Sequence, residues 1–208
     1  MLIEIHKNAD VSHCVREHLQ VKVLLADTSF LLNWQRNERD KKYKNFVQQA
    51  SDNGCTFFRN VTVQQELLSQ ILYIVVSRHF YEYISQHKLE WITDERKPRI
   101  GDSHIKLLRE KNPKLLQRAL QDIPTELELF NQFPYTGASS SKLKGIDAWG
   151  EMLTIMSKYG LNAADAMIAN FVLLHENIDG LVTSDCDFVA CTPLVKSHSK
   201  NLVYINDK

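Results

Sequence analysis

The segment VLLADTSFLL, residues Val23–Leu32, places one charged residue between two apolar stretches. Val23–Ala26 has the composition of a buried strand, and Phe30–Leu32 is typical of the apolar face of a helix. Asp27 lies between them, where an unpaired charge is costly to bury. Two explanations are open at this point: Asp27 caps the following helix, or it binds a cation.

The composition is that of an ordinary globular protein. The 208 residues are 44% hydrophobic, and 25 basic residues balance 25 acidic ones, so any contact with a polyanion has to be local. The four cysteines form no C-x-x-C pair, which argues against a zinc site and a disulfide framework. The N-terminus lacks the apolar stretch of a signal peptide, and the apolar runs are too short to span a bilayer. A cytoplasmic protein without membrane contact is therefore expected.

Short apolar runs alternate with helical patterns along the chain, which predicts an α/β fold with a parallel sheet covered by helices. The predicted strands are Lys22–Ala26, Cys55–Arg59, Gly180–Thr183 and Leu202–Ile205. The main predicted helices begin near Thr28 or Ser29, near Tyr43, at Thr62, at Ile146 and at Ala163. At Thr62, Gln65 three residues later completes the pattern of a capping box.

A single domain of residues 1–208 is predicted, with two additions to the α/β pattern. Residues 1–20 are weakly patterned and are predicted to be an N-terminal extension. Residues from about 94 to 141 contain more charge and four of the five prolines, and they are predicted to be a helical insertion. Within this insertion, Gly137–Ser141 is predicted to be an exposed loop.

Five acidic residues follow strands or open helices. Asp27 and Asp185 each follow a predicted strand, with Asp187 two residues further on, and Glu66 and Asp165 lie in the first turns of helices. Taken singly, each fits a helix cap, a helix first turn or a polar turn. At one edge of a parallel sheet, however, these carboxylates would repel one another unless a cation lay among them. Oxygen ligands of this kind suit Mg²⁺ or Mn²⁺.

Four motifs, in order, resemble those of PIN-domain nucleases, a family that includes VapC-type toxins. They are LLADTSFLL, TVQQELLSQ, LNAADAMIANFVLLH and GLVTSDCDF. The resemblance implies a PIN-like three-layer α/β/α sandwich with a central, mainly parallel sheet. It also implies that Asp27, Glu66, Asp165 and Asp185 are catalytic, that Asp27, Asp165, Asp185 and Asp187 hold metal, and that Ser29 and Thr183 position the carboxylates.

The resemblance further implies a divalent-metal-dependent ribonuclease that uses Mg²⁺ or Mn²⁺ to hydrolyse phosphodiester bonds in RNA. An antitoxin-like protein partner and a homodimer are expected on the same basis. Two basic clusters are candidates for contacts with phosphates, with solvated helical faces as the alternative. One cluster is Arg36, Arg39, Lys41, Lys42 and Lys44; the other, in the insertion, includes Arg96, Lys97, Arg99, Lys106 and Arg109.

Three other functions are considered. A non-catalytic PIN-like module that binds RNA or protein would be expected to lack some of the four acids, and all four positions are filled here. A structure-specific DNA endonuclease on a related fold would use the same chemistry on another substrate. A phosphatase of the haloacid dehalogenase type needs a second Asp two residues after the first, and Ser29 occupies that position.

Overall fold

The computed structural model describes residues 1–20, 22–36, 41–87, 101–139 and 146–206. The chain forms two compact units, one of Met1–Glu66 with Phe133–Lys208 and one of Leu67–Gln132. The first unit contains the sheet and every acidic residue singled out above. The second unit is helical within the described ranges.

Six strands form the sheet of the first unit. They are β1 (Leu2–Ile5), β2 (Val23–Ala26), β3 (Thr56–Asn60), β4 (Tyr135–Ser139), β5 (Gly180–Thr183) and β6 (Asn201–Ile205). Their order across the sheet is β1-β6-β5-β2-β3-β4, and each neighbouring pair is parallel. The four strands predicted from the sequence are confirmed to within one residue at either end.

Nine α-helices and a short 3-10 helix lie within the described ranges. They are α1 (Asp10–His18), α2 (Thr28–Arg36), α3 (Lys42–Asp52), α4 (Val61–His87), α5 (Asp102–Lys111), α6 (Pro113–Asn131), α7 (Ile146–Tyr159), α8 (Ala163–Leu174), the 3-10 helix (Cys186–Cys191) and α9 (Thr192–Ser197). None of these helices combines the length and apolar character that a bilayer crossing requires.

The winding of the sheet places helices on both of its faces. From β1 to β4 the chain moves toward one edge of the sheet, and from β4 through β5 to β6 it moves back toward the other. Because crossovers between parallel strands are right-handed, reversing the direction moves the connecting helices to the opposite face. In agreement, α1 packs against α3, whereas α7 packs against α8. The predicted three-layer α/β/α sandwich is confirmed.

The winding reverses between β2 and β5, which are neighbours at the centre of the sheet. The chain leaves β2 toward one edge and leaves β5 toward the other, so their carboxyl ends diverge into a crevice. The N–H of Asp27 continues the pairing by donating to the carbonyl of Val182 at 3.0 Å. Asp27 therefore lies at the mouth of this crevice.

Two segments differ from the sequence predictions, and both prove to be edge strands. Leu2–Ile5 is not an extension, because it forms β1 and pairs with β6 in the register Leu2↔Leu202. Gly137–Ser139 is not part of an exposed loop, because it belongs to β4 and pairs with β3. In both cases the short strand is stabilised by a neighbour that is distant in sequence.

The start of α4 also differs from its prediction. The helix begins at Val61 rather than at Thr62, and the buried side chain of Asn60 caps it by accepting the N–H of Val63 at 2.8 Å. The capping box at Thr62 is therefore wrong. Because the cap is the last residue of β3, the first turn of α4 rises directly from the carboxyl edge of the sheet, and Glu66 follows one turn later.

Aromatic side chains fix α2 and α3 against the sheet. Phe30 of α2 meets Phe46 of α3 at 5.9 Å between ring centroids, and Phe57 of β3 meets Phe46 at 6.3 Å. Phe133 joins this cluster at 5.3 Å from Phe57. All four rings are buried, and such pairs add about 0.5–1.5 kcal/mol each to the burial of apolar area. The beginning of α2, where the site lies, is thereby held in place.

Polar contacts join the helices of the second unit. Arg78 of α4 forms an ion pair with Glu126 of α6 at 2.7 Å, and the hydroxyl of Tyr73 donates to Asp102 of α5 at 2.6 Å. Asn112 caps α6 by accepting the N–H of Leu115 at 3.2 Å. Within the range predicted to be an insertion, α5 and α6 are helices, whereas Arg96, Lys97 and Arg99 lie outside the described residues.

Gly180→Ala is expected to lower the free energy of unfolding by about 1–3 kcal/mol or more, because an added Cβ would lie 2.3 Å from the backbone oxygen of Asn201. This contact is between the backbones of β5 and β6, so no side chain can move away to relieve it. Urea unfolding followed by circular dichroism measures the change. Gly150→Ala in α7 is the matched control, since its Cβ would meet nothing within 4 Å and should stabilise the helix by about 0.5–1 kcal/mol. Equal effects of the two substitutions would contradict the proposed clash.

Candidate active site at the carboxyl edge of the sheet

Asp27 is held at the mouth of the crevice by two hydroxyl groups. Its side chain is only 3% exposed, and Oδ2 accepts hydrogen bonds from Ser29 Oγ at 2.6 Å and Thr183 Oγ1 at 2.8 Å. Burial raises the pKa of Asp27, while these two hydrogen bonds act to lower it. The same oxygen accepts the N–H of Ser29 at 3.4 Å, as a helix N-cap does. Asp27 therefore caps α2 and also borders the crevice.

The hydroxyl of Thr183 joins the ends of β2 and β5. It donates to Asp27 and accepts the N–H of Asp185 at 2.9 Å. Ser29 Oγ lies 3.1 Å from Thr183 Oγ1 and accepts the N–H of Ser184 at 3.3 Å. Both hydroxyl residues predicted to position carboxylates therefore lie within hydrogen-bond distance of Asp27.

Glu66 lies on the α4 side of the crevice and is held by Thr28. The Thr28 hydroxyl donates to Glu66 Oε2 at 2.8 Å, so α2 contacts two acidic residues from adjacent positions. Burial raises the pKa of Glu66 above its ordinary value, and the negative charges of Asp27 and Asp185 raise it further. This role of Thr28 is not evident from the sequence pattern, although its position next to Asp27 is a signal.

Asp165 opens α8, and the pKa of its carboxyl group is strongly raised. Its N–H donates to the cap residue Asn162 at 2.9 Å, and its Oδ2 accepts the Asn162 amide at 2.5 Å. Burial raises the pKa of Asp165 to about 7, followed in importance by the negative charges of four other acidic residues. These residues are Asp27, Glu66, Asp185 and Asp187. Asp165 thus takes part in the capping of α8 by Asn162, but these hydrogen bonds do not neutralise the negative charge of its carboxylate.

The structure brings the predicted acids into one electrostatic environment, but it does not gather their oxygens into one tight group. In the described ranges, one set of three possible ligand side chains has its ligand atoms within 4.8 Å of one another: Asp185, Cys186 and Asp187. Cys186 and Asp187 are exposed, and Asp187 donates its N–H to Asp185 Oδ1 at 2.9 Å. The site is thus an open acidic crevice bordered by an exposed turn.

No basic side chain of the described residues lies within ion-pair distance of these carboxylates. Lys106 and Arg109 are exposed on α5 in the second unit. Lys42, predicted as part of a surface cluster, is instead buried and donates from Nζ to the carbonyl of Asn206. The prediction that Lys42 contacts phosphates is therefore wrong, because its ammonium group is used inside the fold.

No protein-family model, curated protein or solved structure matches this chain. The likeness of its four motifs to PIN-domain nucleases stays a prediction. The indications of function therefore come from the residues of the crevice and the chemistry that their arrangement permits.

Thr183→Val is expected to destabilise the protein by about 1–3 kcal/mol, because it removes a buried hydroxyl that Asp27 and the Asp185 N–H both need. Valine has nearly the same shape, so the loss reports the hydrogen bonds rather than a cavity. Urea unfolding at neutral pH measures it. Thr154→Val on the exposed surface of α7, where the hydroxyl donates only to the Gly150 carbonyl, should change stability by less than about 0.5 kcal/mol.

The unfolding free energy of the metal-free protein is expected to fall as pH rises from about 4 to about 7. Asp165 has a folded pKa of about 7 against an ordinary value of 3.8, so in this interval the folded state holds a proton that the unfolded state has lost. Asp165→Asn should remove most of this fall, leaving the variant more stable than the wild type above pH 7 and similar near pH 4.

Urea unfolding at several pH values in the presence of a chelator measures this dependence. Asp52→Asn, at an exposed carboxylate at the end of α3, is the matched control and should retain the wild-type slope. A slope that Asp165→Asn leaves unchanged would contradict the assignment.

Proposed function

We propose that this protein is a divalent-metal-dependent ribonuclease whose site is the acidic crevice between β2 and β5. The observation that carries the proposal is the convergence of carboxylates from separate elements without a basic counter-charge among the described residues. Asp27 follows β2, Glu66 lies on α4, Asp165 opens α8 and Asp185 follows β5. An acidic site of this kind is costly for the fold unless it binds a cation.

The donor set fits a hard divalent cation. Asp27, Asp165 and Asp185 offer carboxylate oxygens, with Asp187 at the exposed border, and such ligands are typical of Mg²⁺ and Mn²⁺ sites that keep water positions open. When bound, the ion would supply an activated water and charge stabilisation for phosphodiester hydrolysis. Its positive charge would also lower the pKa of Asp165 and so keep that carboxylate ionised at neutral pH.

The side chains around the crevice have separate roles in this proposal. Ser29 and Thr183 hold the Asp27 carboxylate in one orientation, so that its position does not depend on the ligand. Thr28 holds Glu66 at Oε2, and we assign to Glu66 the task of orienting the attacking water or accepting its proton. Its raised pKa makes it a better base than an exposed glutamate.

RNA is the substrate implied by the resemblance of the four ordered motifs to PIN-domain nucleases. The same resemblance supports an antitoxin-like protein partner and a homodimer as parts of the proposal. A haloacid dehalogenase-type phosphatase is disfavoured, because Ser29 stands where that chemistry needs a second aspartate and its hydroxyl is bonded to Asp27. The non-catalytic module and the DNA endonuclease are alternatives that the same experiment separates.

Asp27→Asn and Asp165→Asn are each expected to reduce divalent-dependent cleavage of single-stranded RNA by at least about 100-fold, because each removes a charged ligand. The assay compares labelled RNA with single-stranded and branched DNA, in Mg²⁺, in Mn²⁺ and with chelator. Circular dichroism verifies that the variants are folded. Asp52→Asn, an exposed carboxylate away from the crevice, should cleave as the wild type does.

Metal binding is measured in the same samples as a shift in melting temperature, since a ligand that binds only the folded state stabilises it. A metal-dependent shift with no cleavage of any nucleic acid would favour the non-catalytic module. Preference for branched DNA would favour the endonuclease. Full activity in both site variants would refute the proposed site.

A further inference from the structure

Arg59 lies near the carboxyl end of β3, one strand away from the acidic crevice. In the pairing of β2 with β3, Leu25 is opposite Phe58, so Arg59 is one step further and level with Ala26, the residue before Asp27. On its other side, Arg59 is opposite Ala138 of β4. A cationic side chain thus occupies the strand next to the one that ends in Asp27.

The Arg59 guanidinium rests on the ring of Tyr135, with 4.6 Å between the guanidinium carbon and the ring centroid. The side chain is partly buried, its Nε is shielded from solvent and carries no hydrogen bond, and the hydroxyl of Tyr135 is in the same condition. Among the described residues, no carboxylate lies within ion-pair distance of Arg59. Burial raises the pKa of Tyr135 and the neighbouring Arg59 guanidinium acts to lower it, so these two groups interact, while Arg59 Nε has no acceptor.

An arginine in this setting is unusual for a purely structural residue. A partly buried guanidinium is stabilised by an anion that accepts its hydrogen bonds, and its planar fork matches a carboxylate or a phosphate. The fold provides a ring that fixes the plane of the guanidinium but no anion in the described part of the chain. An anion from outside the chain would complete the site.

The ring that supports Arg59 is itself held firmly. Tyr135 contacts Phe133 with 4.6 Å between centroids and 47° between the ring planes, and Phe133 meets Trp34 of α2 at 5.0 Å. Phe133 is buried, and through Phe57 it belongs to the aromatic cluster that fixes α2 and α3. Arg59 is consequently presented by a rigid support, which reduces the entropy lost when it binds a ligand.

Asp27, which follows β2, is acidic, whereas Arg59 on the neighbouring strand β3 is basic. The acidic crevice repels a nucleic-acid backbone, so a substrate strand needs a fixed cation beside it to be retained. We propose that Arg59, supported by Tyr135, is the phosphate-binding subsite for the nucleic-acid strand; this subsite rests on the proposed nuclease function. Arg59 is a binding residue for a phosphate that is not itself cleaved.

The first experiment observes Arg59 directly in the wild-type chain. Without divalent metal and with chelator present, so that no cleavage occurs, the Arg59 Nε–H resonance is followed by NMR during titration with a single-stranded RNA oligonucleotide and, separately, with inorganic phosphate. The resonance is assigned in the wild-type chain, by through-bond correlation from the Arg59 backbone. A saturable shift with the oligonucleotide is expected. A resonance that moves with phosphate alone, or with neither titrant, would overturn the proposal.

The second experiment compares binding of the same oligonucleotide by Arg59→Gln and by a matched control. Arg59→Gln should weaken binding about ten-fold, and it should reduce the slope of log affinity against log salt by about 0.7, the value for one phosphate contact on a single strand. Arg16→Gln, at an exposed position on α1, removes the same charge and should change neither quantity as much. Equal effects of the two variants would overturn the subsite.

Arg59→Lys distinguishes bidentate hydrogen bonding to a phosphate from attraction by charge alone, since lysine keeps the charge but lacks the planar pair of donors. Binding restored only in part by lysine supports the subsite, whereas full restoration shows that geometry is unimportant and overturns it. Should Arg59→Gln fail to fold, the NMR titration of the wild type decides. Normal cleavage with unaffected binding in Arg59→Gln would refute the subsite alone, and bound RNA without any cleavage would refute the nuclease alone.

Discussion

Asp27 and Thr183 are 156 residues apart in the chain, yet the hydroxyl of one donates to the carboxylate of the other at 2.8 Å. This contact exists because β2 and β5 are parallel neighbours at the place where the winding of the sheet reverses. The strand pairing brings the two ends together, and the divergence of the connecting helices leaves the space above them open. The position of every other group in the crevice follows from this arrangement.

Electrostatics gives the crevice its chemical character. Burial, followed by the negative charges of four other acidic residues, raises the pKa of Asp165 to about 7, although its amide N–H and carboxylate are both bonded to Asn162. Hydroxyl groups from Thr28, Ser29 and Thr183 orient the acids without cancelling their charge. The acidic site therefore costs the fold stability, and the absence of a basic partner in the described part of the chain supports the cation site proposed here. Arg59, on β3 next to β2, is a positive group without a carboxylate partner among the described residues.

Much of this could be predicted from local sequence, and the errors have a common cause. The four interior strands are predicted because apolar residues, mainly Val, Leu, Ile and Phe, are concentrated in short runs bounded by turn residues. The strands at the two edges were missed, because LIEI and YTGAS are short and owe their conformation to pairing with distant neighbours. Asn60 was missed as a cap because Thr62 and Gln65 fit a familiar pattern two residues later.

The sequence by itself determined the type and order of the elements and the chemical identity of the candidate acids, since helical and strand periodicities and charged residue types are local properties. Only the tertiary structure decided which acids share one environment, that Lys42 is buried, and that Arg59 lies on the strand next to β2 without a carboxylate partner among the described residues. These facts depend on the strand order and on contacts between residues far apart in the chain. Hydrophobic patterning predicts that a segment enters a sheet, but the position of that segment in the sheet is set by the packing of the whole fold.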